Sequence, residues 1–212
     1  MPEDKSLPYY GAIYHRLFDP QLAEARQATA DLVAEGSSVL DIGCGTGELC
    51  FALRSQKHCR VVGLDLSLRM LEFARKSNPF HDVTFVHEDA TDLSAFGDGS
   101  FDYATMLMIM HELSWSQQVR VVSEALRLAK RGIFTDSAVP LPNNAGGMGI
   151  RIVEATFGRD HYANFQAFLA GGGLRGVLEQ SGLPINVEHS SVFWRDCREM
   201  MMVSMQKTPV TT

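Results

Sequence analysis

Apolar positions along the chain fall into two alternating kinds of run, and their order predicts the fold. Over residues 21–35, Leu22, Ala25, Leu32 and Val33 recur at helical spacing, and Gly36 closes the predicted amphipathic helix. A short β-branched run at 38–42 follows, then a turn with glycines at 43, 45 and 47, then a helix over about 48–55. Residues 60–64 repeat the strand pattern and end at Asp65. Ser67 is a good N-cap for a helix with Leu68, Leu71 and Ala74 on one face, and Asn78-Pro79 stops it. Further strands are predicted at 83–86 and 101–106, separated by a polar loop around 96–100. Ser114 and Gln117 have the spacing of a capping box for a helix whose Val119, Val122, Leu126 and Ala129 share a face, and 131–135 is a fifth strand.

Five strand–helix alternations predict an α/β fold with a mainly parallel sheet covered on both faces. After Asp136 the pattern changes. Residues 140–149, PLPNNAGGMG, are loop-like, and GGG at 171–173 interrupts a helical stretch. Leu174, Val177 and Leu178 form a short helix closed by Gly182, with Pro184 just beyond. Strands at 185–193 and 199–205 are close enough to pair as an antiparallel hairpin, making seven in all. Methionine-rich runs at 106–110 and 200–205 fit buried strands. No repeat or clear linker divides the chain, so one domain over residues 1–212 is expected.

The 212 residues suffice for one full core, and the formal charge of -6 includes no long basic run. The densest basic cluster, 127–131, is a weak match to phosphate-backbone binding, so no nucleic-acid partner is expected. The strongest apolar stretch, 104–110, is far shorter than the roughly 20 residues that span a bilayer. The first residues, MPEDKSLPYY, lack the apolar centre of a signal peptide, and the four cysteines form no CxxC pair. A reducing, cytoplasmic setting is expected, with the cysteines as packing residues.

The chemistry concentrates in VLDIGCGTGEL, residues 39–49. A strand running into a glycine-rich turn and then a helix lets a ligand approach the backbone, because glycine has no Cβ. A dinucleotide fingerprint would be G-x-G-x-x-G, but from Gly43 the last position is Glu48, and from Gly45 it is Cys50. A carboxylate at that helix start would also repel a pyrophosphate, which counts against an NAD-dependent oxidoreductase.

The stretch resembles the first motif of the class I S-adenosylmethionine-dependent methyltransferases, with an acidic residue two positions before the first glycine of G-x-G-x-G. The resemblance continues in order through VVGLDLSLRML (61–71), EDATDL (88–93) and SFDYATMLMIMHEL (100–113), covering 39–135. Within that family it is most similar to small enzymes related to quinone-biosynthesis methyltransferases. It implies a Rossmann-like three-layer sandwich whose seven-stranded sheet ends in the hairpin. It also implies a cofactor-binding core at 38–136, a helical lid segment at 1–37 and a substrate-side insertion with the last strands at 137–212.

By that resemblance, Gly43, Gly45 and Gly47 pass beside the methionine part of S-adenosylmethionine, and Asp41 orders the turn or accepts from the cofactor's ammonium group. Asp65 accepts the ribose hydroxyls, Leu66 and Met70 flank the adenine, Asp89 accepts the adenine amino group beside Ala90, and Met106 on the fourth strand is a further contact. The implied partner is a small-molecule methyl acceptor, since MLMIMHEL stands where nucleic-acid amino methylases carry N-P-P-Y or D-P-P-Y.

His111 is the candidate general base, with Glu112 orienting it or acting alone. The alternative for His111 is local packing. HELSW is not HExxH, because residue 115 is Trp, and no metal is expected. Tyr10 and Tyr14, four apart, either cover cofactor and acceptor or form a hydrophobic seam. His161, Tyr162 and Phe165 are acceptor contacts or the aromatic face of a core helix. A noncatalytic protein of the same fold is the remaining alternative.

Overall fold

The protein is described here by a computed structural model of residues 11–206. These residues contain seven strands: β1 (Ser38–Ile42), β2 (Arg60–Asp65), β3 (Thr84–His87), β4 (Phe101–Leu107), β5 (Ala129–Ser137), β6 (Ile185–Phe193) and β7 (Arg198–Met205). They form one sheet in the order β3-β2-β1-β4-β5-β7-β6. The first five are parallel, and β7 runs antiparallel to both β5 and β6. This is the mainly parallel sheet that the alternation predicts, closed by the expected hairpin and in the Rossmann-like arrangement that the resemblance implies. Chain order reverses at β1, which has β2 on one side and β4 on the other. Such a switch point opens a crevice at the carboxyl ends of the strands.

Among the described residues, eight α-helices cover the sheet: α1 (Gly11–Leu17), α2 (Ala23–Leu32), α3 (Glu48–Lys57), α4 (Leu68–Ser77), α5 (Trp115–Leu128), α6 (Ala145–Thr156), α7 (Arg159–Ala170) and α8 (Gly173–Gln180). Successive strand residues point to opposite faces, so each strand supplies two cores. Val39, Val61 and Ile133 pack with Leu49, Leu53 and Leu71 from α3 and α4. Leu40, Ala104 and Phe134 pack on the other side with Val121, Val122 and Ala125 from α5 and Val177 from α8. The near-continuous apolar sequence of β1 follows from burial on both faces.

The caps form as expected. Ser67 accepts a hydrogen bond from Met70 N, and Ser114 and Gln117 make a complete capping box. Three boundaries differ from the sequence pattern. Pro20 lies in a 3-10 turn, Asp19–Leu22, so α2 starts only at Ala23. Ala129 opens β5 rather than closing α5, whose buried face is Gln118, Val121, Val122, Ala125, Leu126 and Leu128. The supposed loop at 140–149 contains the start of α6, where Asn144 accepts from Gly147 N. Glycines are poor helix formers, but two here allow close approach: a Cβ on Gly147 would lie 2.0 Å from the Pro142 carbonyl oxygen, and one on Gly146 would lie 3.0 Å from Cys197 Sγ. The methionines at 106–110 are buried at 106, 108 and 110, but β4 ends at Leu107 and Met108 turns left-handed with φ +61°.

Candidate active site

The crevice at the switch point is a cleft of about 170 Å³. Its walls come from the glycine turn (Gly43, Gly45), the end of β2 (Asp65, Leu66), the start of α4 (Ser67, Met70), the segment after β3 (Glu88, Asp89, Ala90) and the segment after β4 (Leu107, Met108, Ile109). The turn is possible because Gly43, Gly45 and Gly47 have φ of +72°, +53° and +84°, a region that costs other residues about 1–2 kcal/mol. A Cβ on Gly43 would also stand 2.5 Å from Ile109 Cγ2, so only glycine lets the turn meet the chain beyond β4.

Asp65 ties the parts of the cleft together. Its Oδ2 accepts from Gly45 N and its Oδ1 from Ser67 N, both at 2.8 Å. Burial pushes its carboxyl up to about 6, against the pull of those two donors. Asp89 Oδ1 accepts from both the backbone N and the hydroxyl of Thr91, each at 2.8 Å. The structure thus brings Gly43, Gly45, Asp65, Leu66, Met70, Asp89 and Ala90 to one cleft.

Three other residues from the same sequence reading lie elsewhere. Gly47 is the N-cap of α3 and faces Phe85 and Phe51, away from the cleft. Met106 is 1% exposed and packs in the core on the α5 side; the next residue, Leu107, is the one that reaches the cleft. Asp41 lines a small adjoining cavity of about 40 Å³ with Tyr14, Asp19 and Arg26. It accepts from Thr105 Oγ1 at 2.7 Å and Cys50 Sγ at 3.3 Å, which fastens β1 to β4 and α3. Burial raises its carboxyl to about 6.

A second cavity of about 260 Å³ lies beside the cleft. Phe18, Ile150, Val153, Phe157 and Trp194 give it apolar walls; His111, Glu154, His161, Arg195 and Arg198 give it polar ones. Tyr14, Met108 and Glu112 line both cavities and so mark their junction. Burial and the nearby carboxylates of Glu112, Asp19, Glu154 and Asp65 hold the Tyr14 phenol well above its usual range, so it stays a neutral hydroxyl. Tyr10 lies outside the described residues. Tyr162 does not line the cavity; it packs beside Phe165, which is itself core.

His111 sits on the 3-10 turn Met110–Glu112 and is 3% exposed. Its Nδ1 lies 2.7 Å from Asp136 Oδ1 and its Nε2 3.4 Å from Glu154 Oε2, and that same Glu154 oxygen is 2.6 Å from His161 Nε2. Burial opposes a charge on His111, but Asp136 and Glu154 outweigh it and raise its pKa well above the usual value. Glu154 is held near 2 by the two histidines despite its burial. Sequence reasoning missed Asp136, Glu154, Trp194, Arg195 and Arg198. A carboxylate ending β5 next to the HEL segment was the available signal for Asp136; α6 was hidden, and Glu154 with it. Arg198 Nη1 donates to Ser137 Oγ at 3.1 Å, and its guanidinium stands 5.3 Å over the Trp194 ring. Trp194, Arg195 and Asp196, between β6 and β7, are all left-handed, with φ of 49°, 58° and 62°.

The glycine turn at the switch point, the acidic residue ending β2 and the second one after β3 meet at one cleft, the arrangement that the resemblance to class I S-adenosylmethionine-dependent methyltransferases implies. Residues 39–132 match the family described as "Methyltransferase domain". The chain is 29% identical over 177 residues to the cypemycin N-terminal methyltransferase of a Streptomyces species, covering 80% of this chain and 71% of that protein. It is 40% identical over 77 residues to demethylmenaquinone methyltransferase of Staphylococcus saprophyticus, covering 35% of this chain and 33% of the relative. The chain spans about a third to a half of the length of most curated relatives it matches. Among solved structures, the magnesium protoporphyrin IX methyltransferase of Synechocystis, with bound SAH, superposes with a TM-score of 0.61. That match has 19% identity and covers 88% of this chain and 83% of the other, a likeness of fold. No helix among the described residues is long and apolar enough to cross a membrane.

Proposed function

We propose that this protein transfers a methyl group from S-adenosylmethionine to a small organic acceptor. The observation that carries this reading is the junction: the cleft at the glycine turn and a separate, mostly apolar cavity share Tyr14, Met108 and Glu112 in their walls. Transfer by in-line displacement needs donor and acceptor in two adjoining compartments with water kept out, and such alignment is worth roughly 7–11 kcal/mol. The residues of the cleft fit the cofactor, with carboxylates at Asp65 and Asp89 and apolar side chains at Leu66 and Met70. That set suits a ribose diol, an adenine face and an adenine edge. When bound, S-adenosylmethionine supplies a methyl group already activated on a sulfonium.

In this reading Asp65 accepts from the ribose hydroxyls while holding the Gly45 and Ser67 amides, Leu66 and Met70 flank the adenine, and Asp89 takes the adenine amino group next to Ala90. Gly43 and Gly45 admit the methionine part, and Asp41 orders the turn from beneath. Both ring nitrogens of His111 face carboxylates, so we assign the role of accepting the acceptor's proton to Glu112 instead. Glu112 belongs to both cavities, and His111 holds the wall beside it. Phe18, Phe157 and Trp194 favour an acceptor with a flat apolar body.

The densest basic cluster is internally neutralised, Arg127 by Glu124 and Asp98, Lys130 by Asp102 and Arg131 by Glu188, which supports a small molecule over nucleic acid. All four cysteines are buried and free, which supports the cytoplasm. One continuous sheet supports a single domain.

The test is calorimetric titration with S-adenosylmethionine, S-adenosylhomocysteine and NAD in parallel, followed by acceptor screening for S-adenosylhomocysteine release. Micromolar binding of the first two without NAD is expected. Binding of NAD alone, or of none, overturns the reading.

A further inference from the structure

Three metal-ligand atoms meet in the wall of the larger cavity. His111 Nε2, Glu154 Oε2 and His161 Nε2 all lie within 4.8 Å of one another. They arrive from three elements: the turn after β4, the last part of α6 and the first turn of α7. Tetrahedral arms of about 2.0 Å place neighbouring ligands about 3.3 Å apart. The His111–Glu154 separation of 3.4 Å matches that, and the His161–Glu154 separation of 2.6 Å would open by less than an ångström.

A second observation lies behind the first. Asp136, fully buried, faces His111 Nδ1 at 2.7 Å and is itself held by the Ser137 and His111 backbone amides. A carboxylate on the far nitrogen is how metal-binding histidines are oriented, because it fixes the proton on Nδ1 and aims the Nε2 lone pair at the ion. With Nδ1 committed to Asp136, the His111 and His161 Nε2 atoms and the Glu154 oxygen converge on one point, where a metal ion would replace the protons that the two rings otherwise share with Glu154. The rings are also held by packing: Phe165 lies edge-on to His111 at 5.8 Å between centroids, and Phe157 packs on His161 at 5.1 Å. The remaining side opens to the cavity, which leaves an entry path and free coordination positions.

The geometry points to a divalent first-row transition-metal site formed by His111, Glu154 and His161, with Asp136 as its outer support. Two imidazoles and one carboxylate suit borderline ions such as Zn²⁺, Fe²⁺ or Co²⁺, and disfavour Mg²⁺, which prefers an all-oxygen shell. This departs from the sequence expectation of no metal, since Glu154 lies on a helix that the sequence pattern hid and the three ligands match no short motif. Among the described residues, the other His/Asp/Glu cluster, His15, Asp19 and Glu48, is a poorer candidate, because Asp19 is already taken by Arg26 and the Thr46 hydroxyl. Binding of the ion stands independently of methyl transfer. That the ion would hold an acceptor oxygen and ease loss of its proton rests on the function proposed above.

The test uses the chelator-stripped full chain, titrated with Co²⁺ by visible absorbance and with Zn²⁺ by calorimetry at pH 7.5. One equivalent should bind with micromolar or tighter affinity and give ligand-field bands. His161→Ala and Glu154→Gln should each weaken binding at least about 30-fold, and Asp136→Asn about 10–100-fold. Retained S-adenosylhomocysteine binding shows that each variant is folded; if His161→Ala fails that check, the near-isosteric Glu154→Gln decides. No binding by the parent at 100 μM metal (about two decades above the expected affinity), or unchanged affinity in folded Glu154→Gln, overturns the site.

Discussion

Asp65→Asn separates ligand affinity from fold stability at one carboxylate. The parent side chain accepts from Gly45 N and Ser67 N, each at 2.8 Å. Asn keeps one oxygen, so one of those amides must face an NH₂ group. The loss of a charge-assisted hydrogen bond costs about 1.5–3 kcal/mol. The charge is also removed, however, and burial has lifted the Asp65 carboxyl from 3.8 to about 6. At neutral pH that shift is a penalty of roughly 3 kcal/mol on the folded state. The two effects nearly cancel, so the ligand-free variant should unfold within about 1.5 kcal/mol of the parent.

Ligand affinity has no such offset. The turn amide and the ribose acceptor are both compromised, and S-adenosylhomocysteine should bind about 10–150-fold more weakly. The pH dependence follows from the same shift. Between about 4 and 6 the folded parent holds a proton that the unfolded chain has released, so stability falls as pH rises through that window and levels off above it. Asp41, also raised to about 6, adds a comparable slope, and Asp65→Asn should retain only about half of the total. Parent affinity should decline below pH 6, where Asp65 becomes protonated, while the variant's stays flatter. Calorimetry and urea denaturation from pH 4.5 to 8 measure both. A folded variant with affinity within threefold of the parent would refute the argument.

Gly47→Ala should destabilise by about 1–3 kcal/mol, because φ is +84° and the new Cβ would stand 2.8 Å from Phe85 Cζ; an unchanged urea midpoint would contradict this. Thr105→Val takes the nearest donor from buried Asp41 and should cost about 1–3 kcal/mol at pH 7.5. Because protonated Asp41 needs that donor less, the deficit should shrink toward pH 5, and a deficit independent of pH would count against it. Glu112→Gln should lower turnover about 10²–10⁴-fold while leaving S-adenosylhomocysteine affinity within a few-fold. Full turnover at saturating acceptor would remove Glu112 from proton transfer.

What the sequence disclosed about the site follows the range over which its physics acts. The glycine turn, Asp65 and Asp89 are legible because each is a local event at a strand end: a positive φ, a hydrogen bond two residues on, a carboxylate facing a crevice. Strand parity decided the failures. Met106 and Leu107 are neighbours that point to opposite faces, and only Leu107 reaches the cleft. Gly47 shares the spacing of Gly43 and Gly45, but by then the backbone has turned into α3 and carries it toward Phe51 and Phe85. The second cavity had no local signature, since Tyr14, Glu112, Glu154 and Arg198 meet only after the sheet has formed. Glu154 lay beyond reach because the glycines opening α6 look like loop until their contacts with Pro142 and Cys197 are seen.

The left-handed run at Trp194, Arg195 and Asp196 bears on how this protein can be engineered. Each of the three holds a conformation that glycine or asparagine adopts more easily. A thermostabilisation campaign scored on melting temperature alone would therefore be drawn to glycine here, with about 1 kcal/mol to gain per position. Two of the three side chains, Trp194 and Arg195, wall the larger cavity. Variants selected for heat resistance at this turn would accumulate blunted acceptor recognition, so selection there should be run on turnover and stability together.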